Sequence, residues 1–548
     1  MRGIETQVRK IRRQIFAEVS RIGFESDDES LIHDIEAIPY KIVTEDGPQY
    51  RDSIYRARAI ATERVRLAMG MCLRPTNKPV HLTDGIEASN ISEKYYEPPL
   101  MQVVPSACAS CEDNKYEVSD MCKGCLAHPC AEVCPKHAIS MVNGHSYIDQ
   151  EKCVHCGKCK SVCPYDAISK KERPCARACG VKAIGSDEFG RAKIDNEKCV
   201  SCGMCMVSCP FGAISDKSQV YQLARALKEG NEIIAEIAPA FVGQFGSMEP
   251  KDVYAALETL GFSKVYEVAL GADIGAVSEA RHYAEKVSTG ELPFLLTSCC
   301  PSWSMLAKKY FPTMIDNISQ ELTPMVATAR SIKQEHPDAK VVFIGPCAAK
   351  KLEASRRSVR SDVDFVITFE ELVGMFDAKG IDMGEQENAH SMHDATAAGR
   401  GYAVAGGVAG AIGELLSINI LTGILYIAVI ISGLVLLLTV FGRFLKVYVY
   451  MSIAPVPLAF FAGGNVTAMY GRNYIKNVFG VCMEAVTMVI AIQLFCAIAD
   501  DAVMTQVGGM LGFLGTMAKP VMLLLYLSSL SAIIKGADNM THKLLGFV

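Results

Sequence analysis

Thr297-Ser298-Cys299-Cys300-Pro301-Ser302-Trp303 and, further along, Gly345-Pro346-Cys347-Ala348-Ala349-Lys350-Lys351-Leu352-Glu353 are the stretches around which the chain is organised. Each sets a cysteine just after an apolar run, Leu292 to Leu296 and Val341 to Ile344. Such runs read as buried strands, so both thiols are expected at strand ends, where a thiolate can meet metal. Two such loops converging would make half of a metal site. Trp303 is the only tryptophan in the chain and sits in the first loop.

Working outward, the 548 residues have room for about three or four domains. A net charge of -5 gives no argument for a nucleic-acid partner. The 22 cysteines are unevenly placed: sixteen fall between Cys108 and Cys209, three lie in the two loops, and Cys72, Cys482 and Cys496 stand apart. Tight CxxC spacings in a chain this long point to metal or cluster binding and a reducing compartment, hence cytoplasm for this part. The charged N-terminus, Met1 to Arg21, does not read as a signal peptide.

Residues 1–104 read as a helical region without cofactor. Ile4, Val8, Ile11, Ile15, Val19 and Ile22 form one apolar stripe, and a second helix is expected from Ser53 to Met71. Cys72 reads as a packed, inert thiol. From Cys108 the cysteines repeat. Cys122, Cys125, Cys130 and Cys134 precede Pro135; Cys153, Cys156, Cys159 and Cys163 precede Pro164; Cys199, Cys202, Cys205 and Cys209 precede Pro210. Cys175 and Cys179 belong to a worn copy. This is the ferredoxin repeat, in which three cysteines wrap three irons of a four-iron cube and the fourth, before proline, reaches the neighbouring cube. Exchange of fourth ligands groups Cys122, Cys125 and Cys130 with Cys163, and Cys153, Cys156 and Cys159 with Cys134. Cys199, Cys202 and Cys205 would then take Cys179, and Cys108, Cys111 and Cys175 would take Cys209. Three to four 4Fe-4S clusters are expected; Cys108 and Cys111 could instead form a structural pair. His128, His137 and His155 lie among the cysteines but are not needed as ligands.

From 217 to 413, strand and helix alternate, as in an α/β domain with a mainly parallel sheet. Ile233 to Ala238 and Val265 to Leu270 read as strands, Lys251 to Leu260 and Gly275 to Lys286 as helices. With the two loops matching TSCCPxW and PCxxKxxE at every fixed position, this part resembles the iron-only (FeFe) hydrogenases. The resemblance implies a ferredoxin hydrogenase activity, with protons, dihydrogen and a ferredoxin-like electron carrier as partners. It implies that Cys300 and Cys347 hold the cube of the H-cluster, that Cys299 exchanges protons, and that Lys350 hydrogen-bonds a cyanide of the two-iron subsite. Pro239 and Ala240 would line the same pocket, and Glu279, Ser319 and Glu353 would relay protons. His282 stands where the family has a further glutamate. Read without the family, Glu279 and His282 are an exposed pair on one helix face.

The third family signature, which carries two more cysteines, is missing, and the resemblance ends near Gly413. Without those ligands the H-cluster is expected only if they are supplied from elsewhere. Leu415 to Gly442 contains no charge and is long enough to span a bilayer. Val447 to Gly471, Val478 to Ala499 and Pro520 to Ile534 are further candidate spans. The expected architecture is therefore α+β ferredoxin-like repeats (105–216), an incomplete α/β hydrogenase-like domain (217–413) and an all-α transmembrane tail (414–548). The protein would be membrane-associated with its iron–sulfur part in the cytoplasm. A membrane-tethered electron-transfer or redox-sensing protein without an H-cluster, and a non-functional chimera, remain open.

Overall fold

The N-terminal stripe folds as helix α1 (Gln7–Glu25), whose start is capped where the Thr6 hydroxyl accepts the N–H of Arg9 at 3.4 Å. Ile15, Val19 and Ile22 are buried. Helix α2 (Leu31–Ile42) follows, and then α3 (Ile54–Ala68), capped by Ser53. Cys72, expected to be packed, is exposed. It follows α3 in a loop where its carbonyl accepts from Arg66 at 2.9 Å. The computed structural model describes every residue except 1–5, 49, 91–95, 97, 247, 357–358, 360–361, 383–394, 461–464, 499–526, 529, 533–535 and 537–548. It divides into two units, Met1–Ala411 and Ile412–Val548.

The cysteine-rich part is built from very short elements: β1 (Met101–Val103), β2 (Lys115–Val118), α4 (Pro129–Glu132), β3 (Ile139–Val142), β4 (His145–Ile148), α5 (Lys158–Ser161) and β5 (Ile168–Lys171). It continues with α6 (Pro174–Arg177), β6 (Ile184–Ser186), β7 (Ala192–Ile194), α7 (Met204–Ser208) and β8 (Ile214–Asp216). The strands pair only two by two and antiparallel, β1 with β8, β2 with β5, β3 with β4 and β6 with β7. Isolated two-stranded ladders are marginal in water, so this region needs something other than a large apolar core to hold it.

The next segment contains α8 (Val220–Lys228), β9 (Ile233–Ile237), α9 (Pro250–Leu260), β10 (Lys264–Glu267), α10 (Ala269–His282), α11 (Pro301–Tyr310), α12 (Pro324–Glu335) and β11 (Lys340–Gly345). After it come α13 (Ala349–Ala354), β12 (Phe365–Thr368), α14 (Phe369–Lys379) and α15 (Ala397–Gly401). The four strands form one parallel sheet in the order β10-β9-β11-β12. Its central strands β9 and β11 are buried almost throughout, which explains their continuous apolar runs. Two expectations need correction. Leu292 to Leu296 is no buried strand: Pro293 interrupts it, Phe294 is exposed, and Leu296 makes only an isolated bridge to Ile318. Helix α10 begins at Ala269, earlier than expected, because the strand before it ends at Glu267.

α1 lies across this domain. A Cβ on Gly23 would meet Ala224 Cβ of α8 at 2.7 Å, and one on Gly374 of α14 would meet Phe16 Cβ at 2.5 Å, so glycines let the helices touch. Beneath the contact, Lys351 Nζ is fully enclosed, 2.7 Å from Asp216 Oδ2 of β8 and 2.7 Å from Glu371 Oε1 of α14. Arg12 of α1 completes the network, 3.7 Å from Asp216 and 3.2 Å from Glu370.

In the second unit, the expected first two spans are not separate helices. α16 (Gly407–Ile453) continues unbroken through Arg443 and Lys446 until the prolines of α17 (Pro455–Ala459). α18 (Asn465–Ile498) covers the third candidate, and Arg443 pairs with its Glu484. Among the described residues, one stretch, Ile424–Ala459, is long and apolar enough to cross a membrane. The fourth candidate lies largely outside the described residues.

Candidate metal centre

The cysteine repeat is visible in the backbone. The residue two beyond the first cysteine of each group is left-handed: Ser110, Gly124, His155 and Ser201. So is the residue three beyond each fourth cysteine: His137, Asp166, Lys182 and Gly212. These turns curl the chain round the sulfurs and aim amides at them. Ala138, Ala183 and Ala213 donate N–H to the Sγ of Cys134, Cys179 and Cys209 at 3.3, 3.2 and 3.4 Å. His155, Ser201 and Ala192 donate likewise to Cys153, Cys199 and Cys108 at 3.4 Å. Amide donors of this kind stabilise thiolate sulfur and tune a cluster bound to it.

Four cysteines from distant parts of the chain, Cys108, Cys111, Cys175 and Cys209, line one small cavity. Left-handed Ser110 repeats the geometry of His155 and Ser201, which places Cys108 and Cys111 in the same kind of turn as the full repeats. Cys205, Cys199, Cys202 and Cys179 lie within electrostatic reach of one another. Burial pushes the Cys205 thiol up to about 12 and the Cys175 thiol to about 11. Such thiols ionise readily only when a cation replaces the proton. Cys122 is the opposite case, drawn down to about 7 by the N–H groups of Ser146 and Gly124. Ser146 also touches Cys130, with its Oγ 3.4 Å from the sulfur. Cys130, Cys159 and Ile168 share one small core into which Cys153 and Cys163 pack.

The two loops do converge. Cys300 precedes α11 and Cys347 precedes α13, and each bears on the other electrostatically. Lys350, on the first turn of α13, donates to the Cys299 carbonyl at 3.3 Å and to Glu353 Oε2 at 2.7 Å. Burial raises the Cys299 thiol above its ordinary value, against the pull of Lys350. Glu279 is only 5 % exposed, which overturns the exposed-pair reading. Burial raises its carboxyl, opposed by hydrogen bonds from the Ser319 hydroxyl and the Ser298 amide. Ser319 is held in turn by its amide on Leu296 O at 2.8 Å. Pro239 and Ala240 turn off the end of β9, where the Ala238 amide donates to Ile344 O at 2.8 Å.

This pocket abuts the Cys179 and Cys199 group. Ser302 Oγ donates to Val200 O at 2.9 Å and Tyr310 Oη to Val181 O at 2.8 Å, so α11 is pinned to both loops of that group. Gly203, between Cys202 and Cys205, faces Ala348, the neighbour of Cys347; a Cβ there would lie 3.8 Å from its methyl. Two polar residues of the pocket were not singled out from sequence. Glu236, in the middle of β9, is fully buried with neither oxygen hydrogen-bonded, in the field of Lys350 and Glu353. The signal was a carboxylate inside an apolar run. Tyr402, beyond α15, feels both Glu279 and Cys299, and burial raises its hydroxyl. The signal was the glycine-rich run Gly399-Arg400-Gly401 before it, which resembles a family turn that approaches the cluster.

Residues 146–169 and 192–215 match the 4Fe-4S binding domain, and residues 231–424 match the C-terminal domain of the iron only hydrogenase large subunit. The fold and the cysteine sets define an iron–sulfur electron-transfer protein. More specifically, it is related to the FeFe hydrogenases: its 4Fe-4S motifs precede a stretch similar to the C-terminal domain of the hydrogenase large subunit. Iron hydrogenase 1 of Clostridium pasteurianum is 32% identical over 190 residues, 32% of this chain and 33% of that one. The periplasmic [Fe] hydrogenase large subunit of Nitratidesulfovibrio vulgaris is 28% identical over 287 residues, 48% of this chain and 65% of that one. A cytosolic Fe-S cluster assembly factor, NAR1 of Meyerozyma guilliermondii, is 28% identical over 181 residues, 28% and 34% of the two chains. The chain therefore spans between a third and two-thirds of the length of these relatives. The family match runs to residue 424, past the point near Gly413 where the sequence resemblance was expected to end.

Proposed function

We propose that the chain carries electrons through four 4Fe-4S clusters between a ferredoxin-like carrier and the Cys299–Cys300–Cys347 pocket. Cys122, Cys125 and Cys130 with Cys163, and Cys153, Cys156 and Cys159 with Cys134, hold the outer two. Cys108, Cys111 and Cys175 with Cys209, and Cys199, Cys202 and Cys205 with Cys179, hold the inner two. The observation that supports this reading is the contact of the Cys199 loop with α11 and with Ala348, beside the pocket. A bound cube takes or gives one electron at a time.

In the pocket, Cys299 holds a proton on Sγ, because burial keeps it a thiol. Lys350 fixes the Cys299 backbone and pairs with Glu353, and Ser319 orients Glu279. Proton exchange with dihydrogen chemistry is what this arrangement suits. Its thiolates, however, are two, Cys300 and Cys347, where a cube needs four. Cys482 lies in the second unit, and the side chain of Cys496 lies outside the described residues. The residues present do not complete an H-cluster, so no step through one is derived for this chain alone. That count favours an electron carrier over a self-sufficient hydrogenase. The stretch Ile424–Ala459 serves as a membrane anchor in this reading, with the clusters on the cytoplasmic side.

Visible absorption together with infrared spectroscopy on the anaerobically purified full chain separates the two activities. Broad sulfur-to-iron absorbance that bleaches with dithionite, without carbonyl or cyanide bands, is the expected result. Carbonyl and cyanide bands would establish a two-iron subsite and dihydrogen chemistry.

A further inference from the structure

Three arginines surround the Cys108, Cys111, Cys175 and Cys209 site, and their guanidinium groups donate to neutral oxygens. Arg173 is 3% exposed, and its guanidinium donates to Cys111 O at 2.9 and 3.1 Å, Gly185 O at 2.9 Å, Gly190 O at 2.9 Å and Ser186 Oγ at 3.1 Å. Arg64 of α3 is 5% exposed and donates to Gly212 O at 2.7 Å, with its Nε unpartnered. Arg51 donates to Phe211 O at 2.6 Å and Ala107 O at 3.4 Å, tying together the loops that present Cys209 and Cys108. Among the described residues no ion pair engages any of the three.

The lysines near the outer sites differ. Lys115, Lys152 and Lys170 lie at the surface, paired with Glu112, Asp149 and Glu172. Water and those carboxylates screen their charge. Arg64 and Arg173 are buried and Arg51 is half-buried beside Asp52; guanidinium groups so placed, with their donors on neutral oxygens, are screened less than surface lysines, so more of their field reaches nearby sulfur. Arg173 already acts on Cys111 and Cys175, and Arg51 and Arg64 feel Cys209.

We propose that Arg51, Arg64 and Arg173 make this site the chain's electron reservoir, its cluster having the highest reduction potential of the four. Reduction moves one electron from a low-potential donor onto the cluster, adds one negative charge and moves no proton, so fixed unpaired cations favour it. The inference rests on the four-cube reading above.

Potentiometric titration of the anaerobic full-length holoprotein, poised with dithionite and followed by electron paramagnetic resonance, tests it. Arg51→Gln and Arg64→Gln should each make the most readily reduced cluster harder to reduce, by about tenfold in its equilibrium constant, or about 59 mV. Arg51→Lys and Arg64→Lys, which keep the charge, should restore most of that shift. Other clusters should move little. An unchanged first step in both glutamine variants at full iron content would overturn the inference while leaving the four-cube reading intact. A wild-type protein with three cubes would instead overturn the reading, and the inference with it.

Discussion

Glu236 is buried at a cost that no hydrogen bond offsets. With both oxygens unpartnered and no exposure, it stays protonated far above the ordinary carboxylate range, because desolvation outweighs the attraction of Lys350. At acid pH folded and unfolded chains both carry the proton, and the group has no effect. As pH rises past the ordinary carboxyl value the unfolded chain ionises while the folded chain does not, so stability falls until the raised folded value is reached. Glu236→Gln should therefore stabilise the protein near neutral pH by about 1–3 kcal/mol, with the gain fading toward pH 4. Urea midpoints at several pH values check this, and a gain independent of pH would contradict it. The carboxylate stood out in the run Ile233 to Ile237, but only the sheet order, which puts β9 between β10 and β11, shows that it has no path to water. Cys299, Cys300, Cys347 and Lys350 were legible because fixed spacings carry them. Tyr402 reaches the pocket through tertiary packing.

Among the elements, the network under α1 joins β8, α13 and α14 through one ammonium. Lys351→Met would leave Asp216 and Glu371 as facing buried carboxylates and should cost about 3–5 kcal/mol. Adding Asp216→Asn and Glu371→Gln should recover much of the loss, since the network acts as a unit. Additive losses in the combined variant, measured by denaturant midpoint, would show that the charges do not interact. The contact of α1 with α14 depends on Gly374, and Gly374→Ala should destabilise by about 1–3 kcal/mol through overpacking against Phe16. An unchanged midpoint would mean that the helices part freely. Apolar runs revealed β9 and β11 because strands buried on both faces need no alternation. The same logic misread Leu292 to Leu296, where Pro293 removes a ladder donor and no neighbouring strand lies alongside. α2 went unseen, since Leu31, Ile35 and Ile38 bury a face too short to stand out beside Pro39.

On the scale of the whole molecule, the two units differ in kind: the first is organised around sulfurs and a parallel sheet, the second around long apolar helices. A chain ending at Ala411 should keep the iron content and visible spectrum of the full protein while leaving the membrane fraction on cell lysis. Loss of clusters on that truncation would show that the second unit supports the first. Charge counting alone divided residues 415–471 into two spans, because Arg443 and Lys446 look like a loop. Neither residue breaks a helix, and α16 runs on to Ile453.

The central claim is that sixteen thiolates are arranged for four cubes leading to the pocket at Cys300 and Cys347. Metal and acid-labile sulfide analysis of anaerobically purified protein tests it most directly. About sixteen irons and as many sulfides per chain, without zinc, are predicted from four cysteine-ligated cubes. Stoichiometric zinc, or iron for no more than about two cubes, would contradict the account.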